Sequence, residues 1–243
     1  MNTLKLERDP ELAGLATITL NRPEKLNAIN SQMHADLQAA CAELRADSGT
    51  RVVILTGAGR AFSAGADLTD RALPPGSSFL ESRRLAGTGN ATAAALEGLD
   101  QVTIGAVNGL AVGGAVVFLA CLDLRLAAEN AWFSIPEIDL NIPLTWNALP
   151  RLMRELGPAR TRELVMTGDR FTAQEALQWG FVNHLFKDDA LLPQARALAA
   201  KLLKKDPLSL ALTKSTTRAL ANLMVPLDGT HSDREYLLFA SKS

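Results

Sequence analysis

Residues 102–114 read VTIGAVNGLAVGG, an apolar run that breaks into a glycine-containing loop and leads straight into AVVFLAC at residues 115–121. The opening six residues, Val102–Val107, have the uninterrupted apolar character of a strand buried on both faces. Small residues in the loop let a ligand approach the backbone closely. A short helix opening at about Gly114 would add its positive end to any anion held there.

The same theme occurs once earlier in the chain. Residues 51–56, RVVILT, read as a buried strand ending in the turn Gly57–Gly59, and the loop Phe62-Ser63-Ala64-Gly65-Ala66-Asp67-Leu68 follows. Working outward, Leu4–Glu7 and Leu15–Leu20 read as short strands with a turn at Pro10–Gly14. A helix from about Ser31 to Ala46 places Met33, Leu37, Cys41 and Leu44 on one face. Another helix is expected between about Ser77 and Leu99, and further strands near Leu122–Ala127, Ala131–Ile135 and Phe181–Phe186. Beyond about Thr145 the rest is helical, with Ala190–Lys205 and Leu208–Leu223 separated at Asp206–Pro207. The expected fold class is α/β, with a core over residues 1–189 and a helical region over residues 190–243 whose apolar faces suit oligomerisation.

Composition narrows the function. The chain has 243 residues, 47% of them hydrophobic, which is enough for one sizeable core. A formal net charge of −1 and an aromatic content of 5% argue against a nucleic-acid partner. The longest apolar run, Gly109–Leu122, is shorter than the ~20 residues a membrane helix needs, so no membrane partner is expected. The charged N-terminal stretch has no apolar signal core, so a cytoplasmic location is expected. Cys41 and Cys121 lack metal-ligand spacing and read as buried thiols. His34, His184 and His231 are far apart and read as surface or helix-face residues, so no metal site is expected. Gly57-Ala58-Gly59 lacks the third glycine of a dinucleotide fingerprint, because position 62 is Phe. Ser63 does not sit in a nucleophile elbow.

Two features with chemical potential remain. Each glycine loop frees N–H groups, and two such donors aimed at one developing oxyanion are worth about 3 kcal/mol each. Glu137, in Ile135-Pro136-Glu137-Ile138-Asp139, is a carboxylate among isoleucines, a setting that disfavours its charged form and suits acid–base work. On these residues alone, two tight turns and a solvated loop glutamate stand as the alternative.

Several stretches in order resemble the enoyl-CoA hydratase/isomerase (crotonase) superfamily. They are NRPEKLNA (21–28), LTGAGRAFSAGADL (55–68), AVNGLAVGG (106–114), the Pro136-Glu137 region, GPAR (157–160) and AQEALQWGFV (173–182). The resemblance implies a spiral of ββα units with a C-terminal helical region that builds a homotrimer, often paired into a homohexamer. It implies that Ala66 and Gly114 donate the two N–H groups of an oxyanion hole and that Glu137 is an acid–base glutamate. Lys25, Leu26 and Ala28, with Ala64, Asp67 and Leu68, match positions that contact the CoA adenine and pantetheine, and Gly113 lies in the second binding loop. The implied substrate is an acyl-CoA thioester, with no separate cofactor because CoA is part of the substrate. Two departures stand out. The second glutamate of the family's hydratases is replaced by Val117, and a glycine-rich stretch is replaced by residues 142–147, IPLTWN. With a single carboxylate, the resemblance points to an isomerase converting 3-enoyl-CoA to 2-enoyl-CoA. A hydratase or a biosynthetic lyase, with Glu137 working alone or with a partner for which Asp139 is a candidate, and a non-catalytic acyl-CoA binder are the alternatives.

Overall fold

A computed structural model of the chain describes residues 1–70 and 77–227. Its strands, in chain order, are β1 (Leu4–Arg8), β2 (Leu15–Leu20), β3 (Val52–Gly57), β4 (Ala61–Ser63), β5 (Val102–Val107), β6 (Leu110–Val112), β7 (Leu124–Ala128), β8 (Trp132–Ser134), β9 (Phe171–Thr172) and β10 (His184–Phe186). Its α-helices are α1 (Ser31–Ala46), α2 (Phe79–Glu97), α3 (Gly114–Ala120), α4 (Ala148–Thr167), α5 (Ala173–Gln178), α6 (Leu191–Leu203) and α7 (Pro207–Met224).

The strands form two sheets. The larger runs β1-β2-β3-β5-β7-β10, parallel throughout except for β1 at its edge. Every residue of β3 is buried, which is why that segment reads as a continuous apolar run and not as an alternation. The smaller sheet runs β4-β6-β8-β9, with its first three strands parallel. The units β3-β4-α2, β5-β6-α3 and β7-β8-α4 each give one strand to each sheet, which is the expected α/β spiral of ββα repeats.

Of the smaller sheet, the strand expected near Ala131–Ile135 is β8, while β4 and β6 were not legible in the sequence. Residues 61–63 and 110–112 read as loop but are strands β4 and β6. Three-residue strands of small side chains carry no periodic signal, and only pairing with neighbours defines them. The strand expected at Phe181–Phe186 shortens to β10, because Phe181 and Val182 leave the ladder to pack in the core. Helix α4 is broken at Gly157, whose φ of 73° is non-helical, and Pro158 starts its second half.

The region beyond residue 189 is two different things. Helix α6 buries Leu191, Ala195 and Ala199 and packs against β3, β5, β7 and β10. Helix α7 buries no residue and exposes Leu208, Leu212, Leu220, Leu223 and Met224. It is tethered by Lys214 Nζ, which donates to Asp123 at 2.7 Å and to the Gln101 carbonyl at 2.6 Å. The rest of the expected helical region, from residue 228, and His231 lie outside the described residues. Among the described residues, no helix is long and apolar enough to cross a membrane. Cys41 and Cys121 are buried as expected, and burial pushes their thiols up to about 11 and about 12.

Candidate functional site

Three loops that carry the candidate residues leave the C-terminal ends of three adjacent parallel strands, β4, β6 and β8. Ser63 pairs with Ala111, and Val112 with Ser134, so the strands end side by side. The segments 64–68, 113–114 and 135–137 therefore emerge at one edge of the smaller sheet. A fourth segment, 21–28, follows β2, whose Leu20 pairs with Gly57 at the end of β3. Strand register alone thus brings together residues that lie far apart in sequence.

The first loop, 64–68, is zipped to the segment that follows β2. Ala64 N–H donates to the Leu26 carbonyl at 2.9 Å, Ile29 N–H to Gly65 at 2.8 Å, and Asp67 N–H to Ile29 at 2.9 Å. Because Asp67 N–H and the Gly65 carbonyl both face Ile29, the backbone of Ala66 between them faces the opposite side. Gly65 sits at φ 82° with its Cα against the Val112 carbonyl; a methyl group there would fall 2.5 Å from that oxygen and 3.6 Å from Gly114 N. A side chain at position 65 would thus strain the backbone and separate the two loops.

On the other side, Gly113 donates its N–H to the Ser134 carbonyl at 2.8 Å and takes φ 52°. Its carbonyl receives Val116 N–H at 2.9 Å, so the first helical N–H groups, beginning with Gly114, are those that a helix leaves without intrahelical partners. Ala66 thus follows a glycine packed against the Val112–Gly114 turn, and Gly114 carries its backbone donor at the start of a helix. A methyl group on Gly113 would fall 2.5 Å from Glu137 Oε1. The Glu137 carboxyl therefore lies directly against the Gly113–Gly114 turn, with its Oε2 atom buried. Chemically, the arrangement offers two N–H donors for a developing oxyanion and one carboxylate for proton transfer beside it.

The other expected residues differ in their engagement. Lys25 and Leu68 are exposed, while Leu26, Ala28 and Ala64 are partly exposed along the same loops. The Asp67 side chain is occupied: it accepts from Thr69 Oγ1 at 2.7 Å and from Arg22 Nη1 at 2.9 Å. Hydrogen bonds from Thr69, then from Arg22, hold its carboxyl below the usual range. Val117 is buried on α3, and the Asp139 Oδ2 lies close to Gly168 at the end of α4.

Sequence reading missed four residues that shape this site. Asn27 is fully buried at φ 56°; its Oδ1 accepts from Arg22 N–H at 2.9 Å and its Nδ2 donates to Ala58 and Ala61 at 2.9 and 2.8 Å. It ties segment 21–28 to the β3–β4 turn, and its place inside NRPEKLNA was the available signal. His34 is on a helix face, as expected, but is buried. Its ring packs edge-on to Trp146, and its Nδ1 lies 2.9 Å from Thr92 Oγ1. Burial lowers its pKa to about 4, against a raising effect of Asp70, so the ring is neutral near pH 7. Trp146 and Arg151 complete the set, and nothing in their sequence spacing marks them.

Known proteins resemble the chain in sequence and in fold. Residues 11–237 match the family model for enoyl-CoA hydratase/isomerase. The chain is 34% identical over 202 residues to crotonyl-CoA hydratase of Syntrophomonas wolfei, covering 83% of this chain and 76% of the relative. It is 34% identical over 215 residues to short-chain-enoyl-CoA hydratase of Clostridium acetobutylicum, covering 88% and 80%. The crystal structure of enoyl-CoA hydratase from Bacillus anthracis superposes with a TM-score of 0.83 at 29% identity, over 100% of this chain and 92% of that one. With the match running through both glycine loops and Glu137, the chain belongs to the enoyl-CoA hydratase/isomerase family.

Proposed function

We propose that the protein binds an enoyl-CoA thioester, holds its enolate oxygen on the Ala66 and Gly114 N–H groups, and moves the double bond from the 3,4 to the 2,3 position. Glu137 removes a proton from C2, which generates the enolate, and returns it at C4 as the double bond shifts into conjugation. The observation that carries this reading is that, among the described residues, Glu137 is the carboxylate found against the Gly113–Gly114 turn. Val117 stands buried and aliphatic on α3, and Asp139 is directed to Gly168. Allylic isomerisation needs one base that shuttles one proton, whereas hydration commonly uses a second group to prepare the water. CoA would lie along Lys25, Leu26, Ala28, Ala64, Asp67, Leu68 and Gly113. The test is turnover of 3-enoyl-CoA against 2-enoyl-CoA.

A second reading, hydration or its reverse, rests on the names of relatives. Beside the two hydratases above, carnitinyl-CoA dehydratase of Salmonella enteritidis is 39% identical over 212 residues. In that reading Glu137 works alone on water. The exposed leucines of α7 also favour assembly into a trimer or hexamer. Light scattering at micromolar concentration is expected to give a multiple of the chain mass, and a stable monomer would count against the assembly.

A further inference from the structure

Residues 142–147, one of the two departures from the family pattern, put a tryptophan beside the proposed oxyanion hole. The Trp146 indole lies between Gly89 of α2 and Gly114 of α3, and a methyl group on either glycine would land inside the ring. The ring thus bridges the two helices through space that any other residue at those positions would fill. One face stacks on Phe118 with centroids 5.4 Å apart and planes 22° apart, and the ring meets His34 edge-on at 4.9 Å.

Its backbone is held as firmly as its ring. Trp146 and Asn147 take φ of 60° and 53°, a left-handed pair that two non-glycine residues adopt only when their surroundings enforce it. Arg151 Nη1 donates to both of their carbonyls at 3.0 Å. Arg151 is itself buried, and its Nη2 and Nε donate to Glu97 Oε2 at 2.8 and 3.0 Å. A buried Arg–carboxylate fork of this kind has little freedom to rearrange, so the indole is a fixed wall.

We propose that Trp146 closes the acyl pocket immediately beyond the reacting carbons and confines the enzyme to short acyl chains of about crotonyl size. The inference rests on the enoyl-CoA reading above. With the thioester oxygen on Ala66 and Gly114, the acyl chain starts between Glu137 at Gly113 and the indole that covers the Gly114 Cα. Extension between α2 and α3 meets the ring at once, because Gly89 and Gly114 leave it no room to withdraw. Replacing the indole by a methyl opens that gap to several methylene groups.

The test is binding of two unreactive esters, butyryl-CoA and decanoyl-CoA, measured by calorimetry on the full chain, which needs no turnover. Wild-type protein is expected to bind decanoyl-CoA more weakly than butyryl-CoA, although a longer chain gains apolar burial wherever it fits. Trp146→Ala is expected to shift the ratio toward decanoyl-CoA by about tenfold or more, and Trp146→Phe by less. The wild-type ratio stands as evidence even where Trp146→Ala fails to fold. Tighter binding of decanoyl-CoA by wild type, or an unchanged ratio in a folded Trp146→Ala, would overturn the role of Trp146 and leave the enoyl-CoA reading intact. Failure to bind either ester would overturn that reading and this inference together.

Discussion

Glu137→Gln is expected to reduce turnover of enoyl-CoA by about 10²–10⁴-fold, the range typical for loss of a positioned acid–base group. The substitution is nearly isosteric, so the contact with Gly113 is kept and only proton transfer is lost. Binding of the CoA ester should survive within a few-fold, because the proposed CoA contacts come from other loops. The measurement is kcat by single-turnover kinetics beside the ester's Kd by calorimetry. If kcat falls by less than tenfold while the protein remains folded, another group moves the proton. A large loss of binding with unchanged kcat would make Glu137 a binding residue.

The second large effect concerns the Gly114 donor, and Trp146 dictates how it must be measured. Any side chain at position 114 strikes the indole, so Gly114→Pro in the wild-type background would mix a clash with the loss of an N–H. The informative pair is Gly114→Ala and Gly114→Pro, each in a Trp146→Ala background where the ring is gone. Both add a Cβ, and only proline removes the donor. Proline is well tolerated at the first position of a helix, which is where Gly114 stands in α3. The proline variant is expected to have a kcat about 10²–10³ below the alanine variant, as for loss of an oxyanion-hole donor. Equal kcat in the two, with helical content matched by circular dichroism, would remove Gly114 from the oxyanion hole.

The sequence made the larger sheet legible, and of the smaller sheet β8 but not β4 or β6, for one physical reason. Strands β3 and β5 are buried on both faces and announce themselves as runs of Val and Ile. Strands β4 and β6 are three residues long, and their order comes from each other and from β8. The site divides along the same line. Glycine loops and an isolated carboxylate are local signals that by themselves left tight turns and a solvated glutamate open; the family resemblance is what singled out Ala66, Gly114 and Glu137. Trp146 and His34 act through contacts between segments far apart in the chain. The indole needs glycines at positions 89 and 114, and the imidazole needs Thr92 across the α1–α2 interface. No periodicity encodes such pairings. Arg151 is the clearest case: it reads as an ordinary charged helix residue, yet it is buried and bonded to Glu97, fifty-four positions away.

The most direct measurement offers purified protein a 3-enoyl-CoA and, separately, the isomeric 2-enoyl-CoA, and follows the ultraviolet absorbance of the conjugated thioester. The expected result is a rise with 3-enoyl-CoA as the double bond enters conjugation, with only slow loss from 2-enoyl-CoA and neither change in Glu137→Gln. Rapid loss of absorbance from 2-enoyl-CoA with no action on 3-enoyl-CoA would contradict the single-proton shuttle and make the protein a hydratase.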